Sequence, residues 1–381
     1  MQQSGWRIWL PRSQRFRSSV LLHVVPTRFV GGTMSGEHLS NIPMTHREIA
    51  QAALRATVGS ATIDSIRPIP GGVSGAFVYR VDAGGRRYVL RMEGRASPMR
   101  NPHQYTSMRI AAEAGIAPRL HHVDETARVA VMDFIVEQPL NTYPGGPHAL
   151  AQALGEMLRR LQGTPRFGRF VEYPDITARL WAHVCRTNLF APGVLDAHTQ
   201  RLADLRGAYT WNSDEAVSSH NDILPRNLLF DGGRLWLVDW ESAYCNDPVV
   251  DMATMLDNFA PSPELEEVLL QAWLGHPPDR SLRDRLELMR ALTRLFYAGV
   301  QFSAVATASR LVPDTDLSAP TLAEFRQALR DGRLAPDALE TRHLLGKMYL
   351  AAFFTGEKAP GLPPPISAFQ LDRPSAAPIA E

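Results

Sequence analysis

This chain of 381 residues has few cysteines and almost no excess of positive over negative charge. Cys185 and Cys245 are its only cysteines, which argues against a disulfide framework and fits a reducing, cytoplasmic compartment. Lys and Arg residues number 40 and Asp and Glu residues 39, for a formal net charge of +1. This balance gives no electrostatic basis for binding nucleic acid or a membrane surface. No uncharged apolar run approaches the length of a transmembrane helix.

Lysine is almost absent, since Lys347 and Lys358 are the only two. Any side chain that grips a phosphate group in the first 346 positions must therefore be an arginine. Arginine stays charged and offers forked donors to phosphate.

Acidic residues are missing from positions 1–33, and the first one in the chain is Glu37. An arginine-rich, acid-free start is compatible with a mitochondrial-type presequence. We favour an unstructured extension, or an upstream start codon with a true beginning at Met34 or Met44. We expect residues 1–43 to be an N-terminal extension outside the fold.

The most informative stretch is residues 218–251. Two apolar runs, at 227–230 and 234–240, flank an Asp-Gly-Gly sequence, which predicts two short strands joined by a turn. Polar side chains lie at the ends of these strands: His220, Asp222, Asn227 and Asp239. A hairpin of this kind can hold a divalent cation between oxygen ligands.

This pattern favours phosphoryl transfer from ATP, which needs a carboxylate near the attacking hydroxyl and oxygen ligands for Mg²⁺. We predict that Asp222 is the catalytic base. Asn227 and Asp239 are the predicted magnesium ligands. His220 is placed in the same catalytic loop, where we expect it to hydrogen-bond the loop backbone.

The amino-acid sequence of this stretch resembles that of a known family. HNDILPRNLLF is similar to the catalytic loop, and LVDWESAYCNDPVVDMA to the metal-binding segment, of the aminoglycoside phosphotransferase and choline kinase family. The bacterial choline kinase and thiamine kinase branches are especially similar. The resemblance implies an α+β, bilobal, protein-kinase-like fold. A small antiparallel-sheet N-lobe would span residues 44–135, and a larger, mainly helical C-lobe would span residues 136–357.

By resemblance, residues 131–135 form the hinge between the two lobes, and the segment before them has the pattern of a kinase small lobe. Strands are expected at 62–70, 77–82 and 86–93, the last two joined by a Gly-Gly turn. Glycine lets backbone N–H groups approach phosphate oxygens, so the loop between the first two strands is a candidate nucleotide loop. Its predicted contact residues are Gly72, Ser74 and Gly75.

Arg91 occupies the strand position at which kinases carry a lysine that pairs with the nucleotide phosphates. The alternative is an arginine on a solvated strand face. The next helix, expected over residues 102–114, carries Gln104 near the place of the usual glutamate partner. By resemblance, adenine would bond to the Asp133 carbonyl and the Ile135 N–H, unless this segment is an ordinary strand end.

Helical signals dominate the remainder. Thr45 to Glu48 fits a capping box that begins a helix running to about residue 57. Apolar residues recur at helical spacing further on. We expect helices over residues 148–162, 176–189, 194–209, 264–274, 282–309, 322–330 and 337–354. Residues 358–381 are rich in proline and alanine and are predicted to lack fixed structure.

The sequence gives a less specific indication of which residues would contact the acceptor. By resemblance, Asp251 braces the catalytic loop, and Glu241 faces the acceptor pocket or a second metal. Trp240 and Tyr244 are candidate faces for an ammonium group. Helical spacing favours core packing for the aromatic residues near 296–302. An aminoglycoside would need several carboxylates, and the acidic residues between 264 and 287 could supply them or form solvated faces.

The sequence therefore predicts a kinase that phosphorylates a hydroxyl of a small cationic molecule, with ATP and Mg²⁺. Choline or ethanolamine is the first expectation, and an aminoglycoside or thiamine is the alternative. A different class, a kinase-shaped nucleotide-binding protein without catalysis, stays open because of Gln104. The oligomeric state does not follow from the sequence.

Overall fold

A five-stranded antiparallel sheet forms the first half of the fold. The protein is represented by a computed structural model that describes residues 39–69, 75–94, 101–307, 312–336 and 338–356. The strands lie in the order β1-β2-β3-β5-β4. They are β1 (Ile63–Pro68), β2 (Phe77–Ala83), β3 (Arg86–Met92), β4 (Leu120–Asp124) and β5 (Val129–Asp133).

The β2–β3 turn confirms the prediction from the Gly-Gly sequence. Ala83 pairs directly with Arg86, which leaves Gly84 and Gly85 as a two-residue connection. Their φ angles are 56° and 72°, a combination that a tight hairpin requires and that glycine adopts without a Cβ clash.

Two helices flank the sheet. The first, α1 (Arg47–Val58), buries Ala50, Ala53 and Leu54 on one face, as a helical period requires. The predicted capping box is wrong, because a 3-10 turn (Met44–His46) precedes α1 and its N-cap residue makes no side-chain cap bond. The second, α2 (Gln104–Glu113), lies close to its predicted position.

The strand period divides the sheet between two hydrophobic cores. Val129 and Val131 of β5 belong to a small core with α1 and β1–β3. Ala130 and Met132 point the other way and join the large core. Successive side chains of a strand alternate between its faces. Arg91 of β3 is out of phase with the buried Leu90 and Met92, so it faces the large core's side.

Beyond residue 135 the described chain is mainly helical. The helices are α3 (Gly146–Gln162), α4 (Tyr173–Cys185), α5 (Asp196–Ala208), α6 (Val249–Phe259), α7 (Pro263–Leu274), α8 (Arg280–Ala306), α9 (Leu322–Arg330) and α10 (Leu339–Thr355). The predicted helices are all present, with ends shifted by a few residues. We call the sheet with α1 and α2 the N-lobe, and the segment from α3 onward the C-lobe.

Four short strands organise the middle of the C-lobe. β7 (Leu228–Phe230) pairs with β8 (Leu235–Leu237) as the sequence predicts. Asp231 makes the turn, since its Oδ1 accepts from the N–H groups of Gly233 and Arg234 at 2.8 and 2.9 Å. β6 (Val217–Ser219) pairs with β9 (Tyr244–Asn246) and was not predicted.

Helix α6 was also missed. Eight of its residues are buried, from Val249 continuously to Leu256. A helix that is buried nearly all round has no amphipathic pattern to detect. Within the described ranges, no helix is both long enough and apolar enough to cross a membrane. Residues 1–38 of the predicted extension and the predicted tail 358–381 lie outside the described residues. Residues 39–43, which we expected to lie outside the fold, are part of it, because Leu39 and Ile42 are buried in the small core.

A buried charge cluster joins α6 to α8. Asp257 is 5% exposed and accepts hydrogen bonds from Arg290 and Arg294, which are 7% and 2% exposed. Both arginines approach it within 2.9 Å. Removing one member of such a cluster leaves a buried charge without compensation.

We therefore predict that Asp257→Ala lowers the free energy of unfolding by about 3–5 kcal/mol, measured by urea denaturation. The matched control is Asp284→Ala, which removes the exposed partner of Arg280 at 3.8 Å and should cost at most about 0.5 kcal/mol. Equal losses in the two variants would contradict the assignment of stability to the buried cluster.

Candidate active site

The loop that carries the predicted base is held by one buried carboxylate. Asp251, in the first turn of α6, is 0% exposed. Its Oδ2 accepts from the His220 N–H at 2.8 Å and its Oδ1 from the Asn221 N–H at 2.7 Å. Burial raises the pKa of Asp251 to about 7, and the two N–H donors oppose that rise. This is the contact that the expected bracing role requires.

His220 is fully buried and its ring faces the backbone. Its Nε2 lies 3.0 Å from the Val238 carbonyl, and because a carbonyl oxygen only accepts, Nε2 is the donor. Burial lowers the pKa of His220, which keeps the imidazole neutral. Val238 precedes Asp239, so the histidine ties the catalytic loop to the second strand of the hairpin.

Two residues of the site adopt left-handed backbone conformations. Asn221 has a φ of 60° and Asp239 a φ of 66°, which is uncommon for residues with a Cβ. The Asn221 side chain donates to the carbonyls of Ser242 and Tyr244 at 2.8 and 3.1 Å. Such strain persists only where the surroundings fix it, and it clusters at functional sites.

Asp222 lies at the centre of a hydrogen-bond network. Its Oδ1 accepts from the Tyr297 hydroxyl at 3.0 Å. Its Oδ2 accepts from Arg226 at 3.0 Å and from the Asn227 Nδ2 at 2.8 Å. Burial raises the pKa of Asp222, and the charge of Arg226 opposes this. The network fixes the carboxylate in one orientation.

The predicted magnesium ligands lie on adjacent backbone segments. The Val238 N–H donates to the Asn227 carbonyl at 3.0 Å, which places Asp239 next to Asn227. Because the Asn227 Nδ2 donates to Asp222, the other amide atom, Oδ1, is the one that can face a cation. Asp239 keeps 32% of its side chain exposed.

These donors suit Mg²⁺, which is held by one or two protein oxygens together with water and phosphate oxygens. Among the residues that the structure describes, no group of three or more His, Cys, Asp or Glu is placed to hold a metal ion. A magnesium ion that binds Asn227, Asp239 and the phosphate oxygens of a nucleotide does not require such a group.

The Arg91 side chain extends from the N-lobe to Asp239, one of the two predicted magnesium ligands. It is 13% exposed and donates to the Asp239 Oδ1 at 3.3 Å and to the Glu241 Oε2 at 3.1 Å. Gln104 does not act as the partner of Arg91 within the described ranges, where the guanidinium donates to these two carboxylates instead. Arg91 therefore lies in the cleft and not on a solvated strand face.

The predicted adenine side is only partly described. Gly72 and Ser74 lie outside the described residues, and Gly75 has a φ of 67°. Asp133 ends β5, and its carboxylate contacts the His121 Nε2 at 2.6 Å. Three residues beyond Ile135, the Gln138 N–H donates to the Phe230 carbonyl at 2.6 Å, joining the hinge to the catalytic hairpin. The assignment of Asp133 and Ile135 to adenine stays a prediction.

A small cavity of about 50 Å³ adjoins the catalytic loop. Its walls include four aromatic side chains, one carboxylate and the loop residue Asn221: Phe170, Tyr173, Tyr244, Phe296, Glu241 and Asn221. The prediction that Trp240 contacts the acceptor is wrong. Its ring is 4% exposed, donates through Nε1 to the Leu237 carbonyl at 3.1 Å, and packs edge-on against His220 and Phe167.

The acidic residues after Asp251 are engaged with their own chain. Glu266 and Glu287 lie 3.4 and 3.3 Å from Arg290, and Glu267 lies 2.7 Å from Arg283. Asp279 caps α8 by accepting from the Leu282 N–H at 2.8 Å. Asp247, whose role the sequence left open, is buried and accepts from Arg285 and Tyr209.

Several site residues were missed by the sequence analysis. Helical spacing placed Tyr297 in the core, and it is buried, but its hydroxyl reaches Asp222. Arg226 was passed over inside the loop motif. Asn101 and Ser107 of the N-lobe both donate to the Ala243 carbonyl at 2.7 Å. No local pattern signals the contacts of Tyr297, Asn101 and Ser107, because each joins segments far apart in the chain. Arg226 lies only four residues from Asp222, and this spacing could have been recognised.

Comparison with known proteins identifies the family. Residues 65–289 match the model of the family described as "Phosphotransferase enzyme family". This chain belongs to that family. The predicted family, the kinase-like α+β fold and the enzyme class, a phosphotransferase, are thereby confirmed.

Solved structures of several kinases and a phosphotransferase share the fold. A choline/ethanolamine kinase family protein from Mesorhizobium loti is 24% identical, with a TM-score of 0.54, covering 79% of this chain and 98% of that one. Choline kinase LicA from Streptococcus pneumoniae is 16% identical, with a TM-score of 0.53, covering 70% and 93%. A spectinomycin phosphotransferase complex with ADP and spectinomycin is 14% identical, with a TM-score of 0.50, covering 68% and 88%.

A curated relative matches over a much shorter stretch. Protein LicA from Haemophilus influenzae is 39% identical over 54 residues, which is 14% of this chain and 20% of that relative. The chain thus matches only about a fifth of the relative's length. A match of this extent does not carry over the relative's whole activity.

Arg226 yields a prediction about pH dependence. Asp222 must be ionised to act as a base, and Arg226 favours its ionised form. Arg226→Gln should raise the pKa of Asp222 and move the acid limb of the kcat/KM profile to higher pH, so that activity is lost first at low pH. Arg109→Gln, on an exposed side chain, is the control. An unshifted acid limb in Arg226→Gln would contradict the assignment.

Proposed function

We propose that this protein transfers the γ-phosphoryl group of ATP, with Mg²⁺, to the hydroxyl of a small cationic alcohol, choline or ethanolamine foremost. The observation that carries the proposal is that Asp222, Asn227 and Asp239 lie next to one another. The Asn227 side chain donates to Asp222, and its carbonyl accepts from Val238, the residue before Asp239. Arg91 reaches Asp239 from the N-lobe. Phosphoryl transfer depends on this kind of positioning and charge stabilisation.

Each residue has a distinct task in this proposal. Asp222 accepts the proton of the acceptor hydroxyl, and Tyr297 and Arg226 hold its carboxylate in place. Asn227 and Asp239 hold the cation, which when bound neutralises charge on the nucleotide phosphates. Arg91 supplies the positive charge that a lysine supplies in other kinases. His220 and Asp251 fix the loop without contacting the reacting atoms.

Nucleotide binding is supported by the relatives as well as by the cleft. The spectinomycin phosphotransferase is a complex with ADP. A LicA structure with a TM-score of 0.54 is a complex with AMP, at 15% identity, covering 82% of this chain and 99% of that one. We assign the nucleotide to the cleft that contains Arg91. Gly75 would lie near its phosphates, and Asp133 and Ile135 near its adenine.

A small cationic acceptor is favoured by the cavity beside the catalytic loop. Aromatic faces attract an ammonium group, and the Glu241 carboxylate, which Arg91 contacts at 3.1 Å, adds negative charge to the cavity wall. An aminoglycoside would need several carboxylates, and those of Glu266, Glu267 and Glu287 are held by arginines. The relatives named as choline kinases point the same way. Both cysteines are free thiols, in keeping with a reducing, cytoplasmic location.

The substrate class is tested by ADP release with ATP and Mg²⁺ across choline, ethanolamine, thiamine, homoserine and aminoglycosides. We expect release that depends on choline or ethanolamine. Release with thiamine or an aminoglycoside alone would replace the proposed acceptor. Tight binding of ATP and Mg²⁺ with no acceptor-dependent release would favour a nucleotide-binding protein without catalysis.

The catalytic roles are tested by two substitutions. Asp222→Asn should lower kcat by about 10²–10⁴-fold while nucleotide affinity, measured by calorimetry, is retained. Asp239→Ala should remove the magnesium dependence of nucleotide affinity. The surface variant Asp284→Asn is the control for both. Retained turnover in Asp222→Asn would rule out its role as base, and retained magnesium dependence in Asp239→Ala would rule out the metal site.

A further inference from the structure

Tyr173 carries a buried hydroxyl that no described residue satisfies. The residue begins α4 and is 1% exposed. Within the described ranges its hydroxyl has no hydrogen-bond partner. Buried polar groups are nearly always paired, so an orphan of this kind in a native structure calls for an explanation.

The position of Tyr173 suggests what the explanation is. It lines the cavity of about 50 Å³ together with Glu241 and the catalytic-loop residue Asn221. Its ring packs against Phe296 with centroids 5.3 Å apart. The next residue, Tyr297, donates to Asp222. Tyr173, whose hydroxyl has no described partner, therefore lines a cavity that also contains Asn221 and Phe296, the residues before the candidate base Asp222 and its partner Tyr297.

The chemistry of the walls restricts what can fill this cavity. Aromatic faces and a carboxylate draw a cation, and amide and hydroxyl groups of Asn101, Asn221 and Ser242 add polar contacts. A quaternary ammonium presents only methyl groups, which would leave the Tyr173 hydroxyl unpaired. A protonated primary amine presents N–H donors and is smaller. The cavity is also far below the roughly 300–1,000 Å³ of typical ligand sites.

We propose that Tyr173 is a specificity-determining residue, whose hydroxyl accepts a hydrogen bond from the N–H of a protonated primary amino alcohol bound as the acceptor. It thereby selects a primary over a quaternary ammonium. This inference rests on the proposed function and deepens it. Sites that hydrogen-bond a polar group reject analogues that lack it, because the site's own buried group is then left unpaired.

The test is a methylation series of acceptors: ethanolamine, N-methylethanolamine, N,N-dimethylethanolamine and choline. For the wild-type protein we expect kcat/KM to fall along the series, with choline about 10-fold or more below ethanolamine. In Tyr173→Phe, kcat/KM for ethanolamine should fall by about 10-fold, mainly through KM, while the value for choline stays the same or rises. The selectivity ratio should therefore collapse.

Tyr349→Phe is the matched control. Its hydroxyl is also buried without a partner among the described residues, and its ring packs against Tyr297, but it does not line the cavity. This variant should change both acceptors by the same factor and leave the ratio unchanged.

The outcomes separate this inference from the proposed function. Suppose that the protein phosphorylates both ethanolamine and choline. If the wild-type protein then shows no preference for ethanolamine, or if Tyr173→Phe leaves the selectivity ratio unchanged, only the role of Tyr173 is overturned. Phosphorylation of neither overturns the proposed function and this inference together. The methylation series on the wild-type protein decides the preference even if Tyr173→Phe does not fold.

Discussion

The site depends on one carboxylate that accepts hydrogen bonds from two successive backbone N–H groups. Asp251 binds His220 and Asn221 in this way from the first turn of α6, and it is buried while doing so. The cost of burying its charge is offset only while both donors are in place. The loop is thereby held in a left-handed turn at Asn221, which aims the next residue, Asp222, at the cleft.

A second constraint is the concentration of acidic groups in a chain almost without lysine. Asp222, Asp239 and Glu241 lie in one cleft, and two arginines balance them. Arg226 pairs with the base, whereas Arg91 bridges the other two carboxylates. A guanidinium can contact two acceptors at once, which an ammonium does less well. In this structure Arg91 therefore bridges the lobes through the carboxylates that the proposal assigns to metal and acceptor.

Sequence reasoning located the hairpin and the cluster of polar side chains that we assign to the base and the metal, because their residue types and spacing are local. It found the amphipathic helices for the same reason. It missed α6, whose burial on all sides erases the helical pattern, and misplaced Trp240, whose ring is buried. It also missed Tyr173 and Tyr297. The spacing that predicts a buried tyrosine does not indicate which group its hydroxyl contacts. Contacts between distant segments have no signature in one sequence.

The central claim is that the acceptor's hydroxyl, and not its nitrogen or water, receives the phosphoryl group. Phosphorus NMR of a reaction with ATP, Mg²⁺ and ethanolamine tests this directly. We expect a phosphate monoester resonance that grows in step with ADP. A phosphoramidate resonance, or inorganic phosphate alone, would contradict it, because Asp222 would then not be activating an acceptor hydroxyl.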